Sequence, residues 1–186
     1  MEMRKRVLEV EHSSTLISMI NLASTYRDQG RWTEAEKLKV QVMEMSSRVL
    51  GAEHPDTLIS MANLALTQWN QGRWTETEGL RVQVLEMSSR VLRAEHSDTL
   101  ISMTNLASTY SNQGRWTEAE ELKVLVLEMS SRVLGAEHPD TLVSMANLAS
   151  TYRNQGRWTK AEELKMQVGS RASFHADQHD QPDIDV

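Results

Sequence analysis

Between residues 54 and 95 the apolar positions form two runs with helical spacing. Leu58, Met61, Leu64 and Ala65, closing at Gln68, recur as one face of a 3.6-residue helix. Pro55 suits a first helical position, and Asp56 favours the positive end of the helix dipole. The Glu53-His54 step before them reads as the helix cap, and Gly72 is expected to end the helix in a left-handed conformation. A second stripe follows at Thr77, Leu80, Val84, Met87 and Val91, opened by Thr75 and Glu78 in a Thr-x-x-Glu capping box. No segment alternates with period two, so the pattern predicts helices of about 17 residues and no strands.

The two-helix pattern repeats along the chain. Trp32, Trp74, Trp116 and Trp158 are spaced by 42, as are His12, His54, His96 and His138. Shifting residues 12–53 by 42 gives 30 matches of 42, whereas shifting by 84 gives 35 of 42, so a pair of repeats is the unit that was duplicated. The linkers agree: Gly51 to Pro55 resembles Gly135 to Pro139, while the stretches before Ser13 and Ser97 lack both Gly and Pro. One helix pair cannot bury its apolar stripe alone, so stacked pairs are expected to share a core.

Composition narrows the function. Among 186 residues, 20 Lys and Arg against 26 Asp and Glu give a net charge of -6, which speaks against nucleic acid as the partner. The absence of cysteine removes thiolate metal sites and a cysteine nucleophile. No run is long enough to span a membrane and no apolar segment follows Arg6, so the expected compartment is the cytoplasm. No nucleophile, base and orienter are assembled and no phosphate-cradling loop is present; an enzyme is not expected, and neither is a cofactor. The Glu-His pairs occur once per repeat. They are too far apart to share a metal ion, whose ligands all lie within roughly 2.5 Å of it. The methionines and tryptophans fall on the apolar stripes and helix junctions, as core anchors.

Asn63-Leu64-Ala65, Tyr26 and its equivalents, Gly72, Trp74 and Ala35 together resemble a tetratricopeptide repeat. The 42-residue period is longer than the family's usual 34 or so. The extra length lies in the second helix and the Gly51–Thr57 connection, as in the tetratricopeptide domain of kinesin light chains. The pattern is also similar to the near-identical arrays at the ends of fungal NB-ARC (STAND-type) proteins. The resemblance implies an all-α, tetratricopeptide-type right-handed superhelical solenoid of antiparallel helix pairs. Residues 11–168 would hold four pairs, about 12–53, 54–95, 96–137 and 138–168. Residues 1–10 would be the end of the second helix of an incomplete preceding repeat, and 169–186 a disordered acidic tail.

Such a scaffold implies a protein or extended peptide as ligand. Asn21, Asn63, Asn105 and Asn147 fall in mid-helix, where asparagine has poor propensity and no cap to make. They are read either as inter-helix hydrogen bonds or as amides lining a concave groove; matching asparagines of the family contact peptides. One turn on, Arg27, Trp69 and Arg153 vary between repeats, followed by Asn70, Asn112 and Asn154, and an exposed Trp69 would be a recognition hot spot. Lysines that clamp a C-terminal carboxylate in chaperone-binding relatives are replaced here by Ile17, Ile59, Ile101 and Val143, which speaks against that ligand. The alternative expectation is an oligomerisation or sensor module of a larger NB-ARC/STAND-type or kinesin-light-chain-like protein, self-associating through open array ends.

Overall fold

The structure, a computed structural model, describes the backbone of residues 13–179 and the side chains of 14–172. His12, the expected helix end at 1–10 and residues 180–186 lie outside the described residues. Among the described residues eight helices follow in order: α1 Ser13–Asp28, α2 Trp32–Leu50, α3 Pro55–Asn70, α4 Trp74–Leu92, α5 Ser97–Asn112, α6 Trp116–Leu134, α7 Pro139–Asn154 and α8 Trp158–His179. No strand occurs among the described residues. The last helix runs past Val168 to His179, where a disordered tail was expected from residue 169. The chain divides into two units, Met1–Arg93 and Ala94–Val186, each holding two helix pairs.

Local chemistry sets the helix ends. His54, His96 and His138 are the N-caps of α3, α5 and α7; each Nδ1 accepts the backbone N–H two residues on, at 3.2 Å. Pro55 and Pro139 occupy the first turn, as expected. Helix α3 closes through Gly72, at φ 74°, with Gly72 N–H bonded to Trp69 O and Arg73 N–H to Gln68 O at 3.0 Å. The left-handed glycine thus lets the chain fold back into α4.

The second helices start differently from expectation. They open on Trp32, Trp74 and Trp116 after Arg31, Arg73 and Arg115, with no side-chain cap hydrogen bond. The Thr-x-x-Glu capping box does not form. Instead each arginine holds the glutamate three residues on, as Arg73 holds Glu76 at 3.2 Å. The Glu36 carboxylate reaches forward to Arg73 of the next repeat; a charge-assisted bond is stronger than one to a neutral backbone N–H. The tryptophans sit on the rim of this turn: Trp32, Trp74 and Trp116 are half-buried and Trp158 is exposed, so they anchor the core less completely than expected.

The expected α3 stripe is the core of the first unit. Leu58, Met61, Leu64, Ala65 and Gln68 are all buried, and Leu58 and Met61 cluster with Val84 of α4. Thr77 is fully buried with its Oγ1 donating to Arg73 O at 2.8 Å, so its own helix satisfies the hydroxyl. Val91 is exposed rather than in the core, as are Val49 and Val133. These second helices have 19 residues against 16 in the first. In the second unit Ala119, Val126, Met145, Leu148 and Ala149 are buried in the corresponding places.

Candidate functional site

The asparagines are held by their backbone, from behind. Lys39 of α2 is buried; its Nζ donates to Thr67 Oγ1 at 2.6 Å and to Asn63 O at 3.1 Å, and Thr67 Oγ1 donates to the same Asn63 carbonyl at 3.1 Å. In the second unit Lys123 Nζ donates to Thr151 Oγ1 at 2.6 Å, and Thr151 Oγ1 to Asn147 O at 3.2 Å. Burial pulls the ammonium groups of Lys39 and Lys123 below a lysine's usual pKa. The core side of α3 and α7 is thereby pinned at the asparagine, and the side chain points elsewhere.

Asn21 and Asn105 are exposed, Asn63 and Asn147 half-buried. The side-chain amides of Asn21, Asn63 and Asn147 make no hydrogen bond among the described residues. One turn earlier on the same face stand Ile17, Ile59, Ile101 and Val143, exposed by 57–58%. Residues four apart on a helix are neighbours, so each first helix presents an aliphatic side chain beside an amide. The aliphatic half of this pair was not recognised in the sequence as a surface feature. Its signal was present: these positions lie off the Leu58–Met61–Ala65 stripe yet remain β-branched and apolar in all four repeats.

The variable positions are placed unevenly. Arg153 is exposed, whereas Arg27 is half-buried and bonded to Asp28 at 2.9 Å. Asn70, Asn112 and Asn154 are exposed at the last residue of their helices. Trp69 does not stand free, as an exposed hot spot would. Its ring packs edge-on against Trp74 with centroids 5.6 Å apart, and the Arg81 guanidinium lies 5.9 Å from it. Arg81 is buried at the repeat position of Lys39 and Lys123, and burial brings its pKa down to about 10. Trp69 forms a wall for this cation in the one repeat where Gln68 replaces the tyrosine. In the other three repeats Tyr26, Tyr110 and Tyr152 receive Arg31, Arg115 and Arg157 over their rings at 4.0, 4.1 and 4.3 Å.

No group of acidic and histidine side chains able to hold a metal ion occurs among the described residues, and no helix is long and apolar enough to cross a membrane. What recurs is a set of paired helices whose first members present an open face, the arrangement of a helical-repeat scaffold. A tetratricopeptide repeat family profile matches residues 14–76, 63–124 and 104–168, and the chain belongs to that family. It is 33% identical to a solved Podosopora anserina protein described as a kinesin light chain with nearly identical TPR-like repeats. The match covers 97% of this chain and 84% of that one at a TM-score of 0.80. A substituted form of the same protein matches at 33% identity and a TM-score of 0.82, over 95% and 83%. BtubC (BKLC) from P. vanneervenii, at 18% identity, covers 92% of this chain and 68% of its own with a TM-score of 0.78, a likeness of fold. A search of curated proteins found no match. Arrays of this class are protein-interaction scaffolds.

Proposed function

We propose that the first helices of each unit bind an extended peptide, with Asn21 and Asn63 in the first unit and Asn105 and Asn147 in the second hydrogen-bonding its main chain. The observation that carries this reading is the Ile17–Asn21 pair and its three repeats, an exposed apolar side chain one turn from an amide. A carboxamide both donates and accepts, which matches a peptide unit without reading its side chain. Ile17, Ile59, Ile101 and Val143 then supply apolar contact to aliphatic residues of the ligand. Arg153, and Arg27 where it turns from Asp28, favour an acidic residue. Asn70 and Trp69 in the first unit, and Asn112 and Asn154 in the second, lie at the C-terminal ends of these helices and extend the reading to their last turns.

The test uses peptides selected from a randomised library on the wild-type chain, with affinity read by fluorescence polarisation. Asn21→Ala with Asn63→Ala should weaken binding at least about tenfold, since each lost amide contact is worth roughly 1–3 kcal/mol. The melting temperature should stay within a few degrees, because these amides hold no described neighbour. Selection that yields no peptide, or peptides that bind the double variant equally, would refute the reading. Early melting with binding retained would make the asparagines scaffold residues instead.

A further inference from the structure

Each unit contains one junction where the second helix of a repeat meets the first helix of the next. In the first unit Glu36 accepts from Arg73 Nη1 at 2.6 and 2.8 Å and from Gln71 Nε2 at 3.4 Å, while Lys39 donates to Thr67. In the second, Glu120 accepts from Arg157 at 2.5 Å and Gln155 at 2.9 Å, while Lys123 donates to Thr151. The sequence separations are the same in both: 37 for Glu to Arg, 35 for Glu to Gln and 28 for Lys to Thr. Leu64 and Leu148 lie buried beside these contacts at 3% and 4% exposure.

Helices α8 and α1 carry the two halves of this junction on exposed faces. On α8, Glu162 and Lys165 stand at the repeat positions of Glu36 and Lys39, and both are exposed. Trp158 and Met166 beside them are 60% and 67% exposed. On α1, Leu22 at the position of Leu64 is 43% exposed, and Thr25 is exposed where Thr67 and Thr151 are fully buried. Arg31 already holds Glu34 at 3.0 Å, as Arg73 holds Glu76, so its guanidinium is set in the orientation that the internal junction uses.

We propose that a second copy of this chain docks head to tail, α1 of one copy on α8 of the other. Glu162 accepts from the partner's Arg31 and Gln29, Lys165 donates to the partner's Thr25, and the partner's Leu22 is buried against α8. The repeat arithmetic selects this occupant: over the first turns of α8 and the last turns of α1, both faces have the residue types, in the register, that mate inside each unit. The charges complement as well, with an acid on one face and an arginine on the other. The two faces differ, so the contact is heterologous, and assembly continues with concentration instead of stopping at a two-fold dimer.

Light scattering on the full chain over a concentration series tests this. The wild type should rise above the one-chain mass as concentration increases. Glu162→Arg and Arg31→Glu should each hold at the one-chain mass. Their equimolar mixture should assemble again, because each then offers the other an opposite charge on both faces. Glu162→Arg alters an exposed side chain and should keep full helicity. Should Arg31→Glu lose helicity, Leu22→Asp replaces it as the variant of the α1 face and should also stay at one-chain mass. A wild type at one-chain mass throughout would overturn the proposal. So would folded single variants that assemble like the wild type, or a mixture of folded variants that stays unassembled.

Discussion

Lys123 donates its ammonium proton to the hydroxyl of Thr151 at 2.6 Å, joining α6 to α7 inside the second unit. Lys39 and Thr67 stand in the same relation in the first unit. A buried cation satisfied by a hydroxyl is costly to strip of its partner, because the desolvated charge remains. Thr151→Val keeps the shape and removes the acceptor, leaving Lys123 only Ser111 Oγ at 3.3 Å. Urea unfolding should show a loss of about 1–3 kcal/mol. Thr151→Ser should recover most of it, and an unchanged midpoint for the valine variant would show that the bond does not stabilise the junction.

Arg93 has φ 74° and ψ 160°, at the position where Gly51 and Gly135 have φ 98° and 96°. That region is essentially a glycine region, and a side chain held there costs of order 1–3 kcal/mol. Arg93→Gly should therefore raise the melting temperature, by about 2–4 °C for each kcal/mol released in a chain of this size. A lower melting temperature on calorimetry would mean that the contacts of the Arg93 side chain outweigh the strain.

Gly79 lies mid-helix in α4, where the other repeats carry Lys37, Glu121 and Glu163. It is exposed, and a β-carbon placed there would meet nothing within 4 Å. Gly79→Ala should stabilise the chain by roughly 1 kcal/mol through backbone entropy alone. In the wild type, hydrogen exchange should be faster over 75–92 than over 117–134, a difference that the alanine variant narrows.

Glu120 responds to acid. Partial burial raises its carboxyl, but the hydrogen bonds from Gln155 and Arg157 outweigh this and hold it below a solvated glutamate's 4.5. A carboxyl with a depressed folded-state pKa stabilises above its unfolded value and loses that contribution as the pH falls through the folded one. The urea midpoint should thus fall as the pH drops below 4.5. Glu120→Gln should lower the midpoint at neutral pH and flatten that fall; equal acid slopes for the two proteins would assign the effect to other carboxylates.

Periodicity alone determined most of the architecture. The spacing of Leu58, Met61 and Ala65 marked the buried face, Pro55 and His54 marked where α3 begins, and the recurrence of Trp32 every 42 residues set the helix pairs. These are local properties, carried by backbone preference and by which face must leave water, so a single strand of sequence records them.

What the sequence could not decide was where long polar side chains end. Glu36, at the repeat position of Glu78 in the expected Thr-x-x-Glu box, instead crosses to Arg73, because the stacked neighbour offers a charged donor within reach. Trp69 looked like a free aromatic and instead packs on Trp74 with Arg81 beside it, in the repeat where Gln68 replaces the tyrosine. Ile17 and Ile59 looked like the mere absence of lysine, and only packing shows them exposed beside Asn21 and Asn63. Each of these outcomes depends on a residue from another helix, brought within a few ångströms by the fold and invisible to any local pattern.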